Sequence, residues 1–250
     1  EKFEKRFSNL WIGSRPTQLQ GTFQILYLDF SRVGGLDRTL AQNFDDYCCG
    51  GLDDFASIYE PYYYPGFEEE MKAQYGTTNK INFLDRKARN NGSKLYLIVD
   101  EYDNFTNVVL NEQGDKVYHA LTYASGFYRE IFKKFKGMFE RIFMTGVSPV
   151  TLDDLTSGFN IGWNVSTDHQ FNMMLGFSET DVREMIRYYK DAGQLPGNTD
   201  INAMIEEMRP WYDNYCFAEE SLERDPKMFN CDMVFYYLRH YMTLGKSPKE

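Results

Sequence analysis

The chain has no stretch approaching the eighteen or so consecutive apolar residues that cross a bilayer, and its N-terminus, Glu1-Lys2-Phe3-Glu4-Lys5-Arg6-Phe7, lacks the apolar core of a secretory signal. Membrane insertion and export are both disfavoured, and a cytoplasmic location is expected. Cysteine is scarce. Cys48, Cys49, Cys216 and Cys231 form one adjacent pair and two isolated residues, a pattern that suits neither a zinc site nor a disulfide framework. Reduced thiols are the economical reading. The three histidines, His119, His169 and His240, lie far apart and in no metal or triad motif. No serine sits in a G-x-S-x-G elbow and no cysteine carries a nucleophile signature, so covalent hydrolase chemistry has no support. Positive charge is also short, with 27 Lys and Arg against 37 Asp and Glu, a net charge of -10. That balance argues against direct nucleic-acid binding, which normally shows as a basic surface. The Lys133, Lys134 and Lys136 cluster reads as a solvated helix face.

What the chain does contain is enough apolar material for a sizeable core, 42% of 250 residues. The most informative segment is Lys94-Leu95-Tyr96-Leu97-Ile98-Val99-Asp100-Glu101-Tyr102-Asp103. Its unbroken Leu, Ile and Val run suits a strand buried on both faces of a parallel sheet, with the acidic pair emerging at the carboxyl end. Ligands bind at that end in open α/β sheets. An apolar strand ending in Asp-Glu has the form of a Walker B segment. Mg²⁺ takes only one or two protein carboxylates beside waters and phosphate oxygens, so Asp100 could hold the ion while Glu101 orients an attacking water. Alternation along the strand separates the two side chains. An ordinary strand ending in a solvated acidic turn fits the same residues.

Other segments place this strand in context. Phe23 to Phe30 reads as a second buried strand ended by the turn Ser31 to Gly35. Leu36 to Tyr47 and Ile81 to Asn90 have helical spacing, with Asn91-Gly92 as a helix stop. Tyr59 to Gly66 is a turn-rich aromatic segment expected to pack over the domain. Lys116 to Lys136 reads as one long helix, followed by a short strand from Arg141 that breaks into a polar turn. Thr145 and Ser148 would then share an edge with Asp100, either sensing a terminal phosphate or capping the turn. Strands alternating with helices imply crossovers and a parallel sheet. From Ser178 the character changes. Ser178-Glu179-Thr180-Asp181 followed by Val182, Met185, Ile186 and Tyr189 is a capped amphipathic helix. Further helices are expected at Ile201 to Met208 and Asp232 to Tyr241, interrupted by Pro210 and by Ala218 to Pro226. The expected division is a sheet domain over 1–177 and a small helical lid or winged-helix-like extension over 178–250.

Leu26 to Ser31, Ile98 to Asp103, Phe143-Met144-Thr145-Gly146-Val147-Ser148 and Trp211 to Phe217 together resemble the predicted AAA-ATPase-like family of bacterial proteins, in order and in approximate spacing. Gly176-Phe177-Ser178-Glu179 and Met228-Phe229-Asn230-Cys231-Asp232-Met233-Val234 resemble two further segments of that family. The resemblance implies a P-loop NTPase-type parallel sheet with flanking helices, ATP as substrate, Mg²⁺ at Asp100, Glu101 as the catalytic carboxylate, and Thr145 or Ser148 as a phosphate sensor. Arg209 beside the Trp211 segment is then either nucleotide-facing or part of an ion pair, and that segment's aromatics are expected to pack against the sheet domain.

Family members carry an RPRRFGKS-like P-loop before the first strand represented here, and often a restriction-endonuclease-like module afterwards. Neither motif occurs in this sequence, and Gly92-Ser93-Lys94 precedes the acidic strand rather than opening a helix. The sequence therefore reads as a fragment with an incomplete sheet, expected to bind nucleotide poorly because the P-loop supplies most of the phosphate cradle. A strand missing beside the one that ends at Thr145 would leave an edge open and favour aggregation. Two other functions compete with Mg²⁺-dependent ATP hydrolysis. One is a non-catalytic interaction module on a degenerate ATPase fold, for which an acidic surface and aromatic-rich helices permit a protein partner. The other is a metal-dependent nuclease using Asp100, Glu101 and Asp103, although no Glu-x-Lys strand follows.

Overall fold

The computed structural model describes residues 2–33, 39–122, 126–147, 162–223 and 227–248. They divide into two compact units, Glu1–Gly162 and Trp163–Glu250, so Trp163 to Phe177 falls with the second unit.

The first unit is α/β. Its three-stranded sheet has the order β1 (Phe23–Asp29), β2 (Lys94–Asp100), β3 (Arg141–Met144), with parallel pairing throughout. The helices of this unit are α1 (Lys2–Phe7), α2 (Leu40–Tyr59), α3 (Phe67–Lys72), α4 (Gly76–Asn91), α5 (Asn104–Gln113), α6 (Asp115–Thr122) and α7 (Phe127–Met138). Strand alternation sends Leu95, Leu97 and Val99 of β2, with Leu26 and Leu28 of β1, into a core built with α2, α4 and α7. Burial on both faces, the expectation from the unbroken apolar run, is not what the strands do. The opposite face is open at its borders, with Tyr27 52% and Phe143 41% exposed and Ile25 also exposed, while Tyr96 and Ile98 of the central strand are half-buried.

Local chemistry explains the helix limits. Thr39 and Gln42 form a reciprocal capping box that starts α2. This helix then runs through Cys49-Gly50-Gly51 to Tyr59, well beyond the expected end at Tyr47. Gly51 is the reason the helix can pack there, since a Cβ on it would stand 2.6 Å from Leu28 Cδ2. The α4 helix stops at Gly92 in the left-handed conformation, φ 66°, as its sequence implies. The single long helix expected over 116–136 is instead α6 and α7, with Gly126, extended at φ -69° and ψ 139°, at the N-cap of α7. In the aromatic segment Tyr63 stacks on Phe67 at 4.1 Å and, like Tyr64, packs against the core.

Tyrosine hydroxyls cover the outer edge of the sheet at β1. Tyr59 Oη accepts the Ile25 N–H at 2.9 Å and Tyr47 Oη accepts the Asp29 N–H at 2.8 Å, both reaching across from α2. Among the described residues no strand pairs with the far side of β3.

The second unit holds α8 (Glu179–Asp191), α9 (Ile201–Tyr212) and α10 (Cys231–Leu244), plus a two-stranded antiparallel sheet, β4 (Asp213–Tyr215) with β5 (Met228–Phe229). Ser178 and Asp181 form the capping box expected for α8. Its own core contains Val182, Ile186, Met208, Tyr212, Phe229 and Tyr237. Pro210 does not interrupt α9. It lies in the last turn, and the helix continues through it to Tyr212. Among the described residues no helix is long and apolar enough to cross a membrane.

Losing the hydroxyl cover from β1 should weaken the first unit. Tyr47→Phe and Tyr59→Phe each strand one backbone donor and are expected to cost about 0.5–1.5 kcal/mol apiece in urea unfolding. A double variant as stable as the parent would refute the edge-covering role.

Candidate functional site

The open face carries a polar cluster at the carboxyl ends of the strands. Asp100 is the last residue of β2, level with Asp29 across the parallel register, and Thr145 follows the end of β3. The Thr145 N–H donates to Val99 O at 2.9 Å, which extends the β2–β3 pairing one step and brings the Thr145 side chain to Asp100.

Asp100 accepts three hydrogen bonds. Thr145 Oγ1 and the Glu101 N–H, the latter at 3.1 Å, donate to Oδ1; Tyr27 Oη donates to Oδ2 at 3.1 Å. The Thr145 hydroxyl, helped by Tyr27 and the Glu101 amide, holds the Asp100 carboxyl below the usual carboxylate range, against an opposing desolvation effect. The same contact with Asp100 pushes the Tyr27 phenol up. An ionised, hydrogen-bonded carboxylate at a strand terminus is a hard oxygen donor suited to Mg²⁺. Among the described residues no group of three or more His, Cys, Asp or Glu could cage a metal, so Asp100 would act with waters and ligand oxygens rather than with a protein cage.

Glu101 adopts a left-handed backbone conformation, φ 53°, which costs a non-glycine residue about 1–2 kcal/mol. The turn it makes is fixed from several sides. Asn104 N–H donates to Glu101 O at 3.0 Å, Tyr102 N–H donates to Thr145 O at 3.0 Å, and the buried Tyr128 hydroxyl donates to Tyr102 O. Asp103, fully buried, accepts the Val147 N–H at 3.1 Å and Asn107 Nδ2 at 2.9 Å. Behind this turn Phe44 packs on Phe105 at 5.2 Å and on Phe30 at 4.9 Å, giving the polar cluster a rigid aromatic base.

Of the residues singled out from sequence, Asp100 and Thr145 meet directly, and Glu101 joins them through its backbone N–H. Ser148 lies outside the described residues. Asp103 turns into the protein toward Val147 and Asn107, and among the described residues Asp100, Glu101 and Asp103 do not form a three-ligand metal group. Arg209 forms ion pairs, the other expectation for it. It pairs with Glu179 at 2.8 Å, Glu206 at 3.2 Å and Asp213 at 2.6 Å. Within the second unit Trp211 is 64% exposed, while Tyr212 is buried in that unit's own core. Sequence reasoning missed Tyr27, whose signal was its place two residues before Asp29 on the alternating face. It also missed the structural use of Asp103 and Gly146.

A parallel α/β sheet with an acidic turn at the carboxyl end of its central strand, and a hydroxyl from the adjoining strand on the first acid, is a P-loop-like α/β fold. The chain belongs to the AAA-ATPase-like family, described as predicted AAA-ATPase, whose sequence model matches residues 1–156. No protein of curated function and no solved structure matches it.

Two outcomes follow from the packing and charge of this site. Gly146→Ala would place a Cβ 2.5 Å from Asp103 Oδ1 and 2.6 Å from Tyr102 Cε1. A cost of about 1–3 kcal/mol is expected in chemical denaturation, and a neutral effect would mean that the two turns are not in this close contact. For Asp100 the folded carboxyl titrates below its unfolded value of about 3.9. Its stabilising contribution is therefore complete above that pH and is lost as the pH falls through the lower folded value. Asp100→Asn should flatten that part of the stability profile. Superimposable acid limbs for the two proteins would contradict the assigned hydrogen bonds.

Proposed function

We propose that this protein is a Mg²⁺-dependent ATPase whose hydrolytic carboxylates are those of the β2 turn. The observation that carries this reading is the Thr145 hydroxyl on Asp100, with the strained Glu101 turn directly beside it. Strain held by surrounding hydrogen bonds is a feature of sites where geometry matters more than local comfort.

On this reading Asp100 is the Walker B aspartate and holds Mg²⁺ through its carboxylate. When bound, the ion neutralises charge on the β and γ phosphates. Glu101 orients the water that attacks the γ phosphorus and accepts its proton. Thr145 has two tasks. Its hydroxyl keeps Asp100 ionised and fixes the carboxylate plane, and it can exchange that bond for a terminal phosphate oxygen when nucleotide arrives. Tyr27 holds the second Asp100 oxygen from β1. The open apolar face around them would need cover to exclude bulk water during hydrolysis.

The test is Mg²⁺-dependent phosphate release by the full-length natural protein and by Glu101→Gln in the same protein, with ATP binding measured alongside by calorimetry. Turnover should fall by about 10²–10⁴-fold while ATP still binds. Binding without turnover in both proteins would replace this reading with a regulatory nucleotide sensor. No binding in either would replace it with a protein-interaction module.

A further inference from the structure

Asp103 occupies the N-cap position of α5 and is a residue type that helices favour there, yet it makes no side-chain cap bond to that helix. Its backbone, φ -93° and ψ -13°, is already helical rather than extended. The carboxyl group is used elsewhere. Oδ1 accepts the Val147 N–H and Oδ2 accepts Asn107 Nδ2, in a position with no solvent exposure.

We propose that Asp103 is a positioning residue that holds the Thr145 turn against the Glu101 turn, and so sets how the phosphate-sensing hydroxyl and the water-orienting carboxylate stand relative to each other. The inference rests on the hydrolase reading above. Among the described residues, bonds that cross between the end of β2 and the end of β3 outside the strand ladder include Tyr102 N–H to Thr145 O, Thr145 Oγ1 to Asp100, and Val147 N–H to Asp103. The first uses only backbone. The second is the contact expected to change when phosphate binds. The Asp103 bond is made by a side chain that does not take part in the exchange, so it can keep the turns in register while Thr145 changes partners.

The close approach at Gly146 supports this role. With Asp103 Oδ1 and the Tyr102 ring where a Cβ would stand, the β3 turn is drawn tightly onto the β2 turn and has no room to drift inward. Asp103 is itself anchored, since its carbonyl accepts Thr106 Oγ1 at 2.9 Å and Asn107 N–H at 2.8 Å from α5. A buried carboxyl group is costly to leave unsatisfied, which makes this anchor stiff. The path α5, Asp103, Val147, Thr145, Asp100 is therefore one connected set of hydrogen bonds and adjoining residues. A displacement of the start of α5 would reach Asp100 through it.

The experiment compares Asp103→Ala and Asp103→Asn in the full-length natural protein, reading amide hydrogen exchange over 145–147 together with kcat and KM for MgATP. Asparagine keeps an oxygen for Val147, and Asn107 can rotate its amide to match the new NH₂. The expected result for Asp103→Ala is faster exchange at Val147 and a loss of kcat of about tenfold to a hundredfold, larger than any change in KM. Asp103→Asn should restore both. Asp103→Ser, too short to reach Val147, gives the same contrast if the alanine variant does not fold. Unchanged exchange over 145–147 would overturn the inference alone, as would faster exchange with undiminished kcat or an asparagine variant no better than alanine. A natural protein that does not hydrolyse ATP would overturn the hydrolase reading and this inference with it.

Discussion

Everything at the site depends on parallel pairing in one register. Because β1, β2 and β3 run in the same direction, their carboxyl ends finish at one border, and residues from three distant parts of the chain arrive there together. Asp29 stands level with Asp100, and one further step of the β2–β3 ladder delivers Thr145. A slip of one residue in either pair would send Tyr27 or Thr145 to the packed face and put a core leucine or methionine in its place. The hydrophobic core fixes the register. Leu26, Leu28, Leu95, Leu97 and Val99 are buried together in this alignment and would not be after a slip of one residue, so packing on one face of the sheet constrains polar geometry on the other.

The acidic turn also shows how two kinds of constraint are combined. Local preference opposes the Glu101 conformation, and β2 has no glycine there to relieve it. Neighbouring elements hold it in place: Tyr102 is held to Thr145 and Tyr128 is held to Tyr102, with the Phe30, Phe44 and Phe105 rings packed behind. The unfavourable local term is small beside the burial of those aromatic side chains, each worth about 1.5–3 kcal/mol. The aromatic richness of the chain, 20 Phe and 19 Tyr, is used at this position to hold a turn as well as to fill volume.

Much of the frame was readable in the residues. Apolar runs announced all three parallel strands, Asn91-Gly92 announced the end of α4, and Ser178 with Asp181 announced the start of α8. Asp100 and Thr145 could be nominated because each ends an apolar run. What could not be read was whatever depends on partners distant in sequence. How closely α2 packs at Gly51 depends on Leu28, distant in sequence, whose Cδ2 leaves no room there for a Cβ. The β4–β5 pair is too short to show periodicity. Tyr27 and Asp103 acquire their roles only once the register and the turn are known, since a tyrosine in a strand and an aspartate before a helix have ordinary local explanations.

The two borders of the sheet differ in kind. At β1 the backbone donors end on phenolic oxygens from α2, while β3 offers its outer side to no strand among the described residues. Tyrosine hydroxyls thus close the β1 border to main-chain partners at Ile25 and Asp29, and the hydroxyl-bearing turn at Thr145 stands on the opposite border of the described sheet.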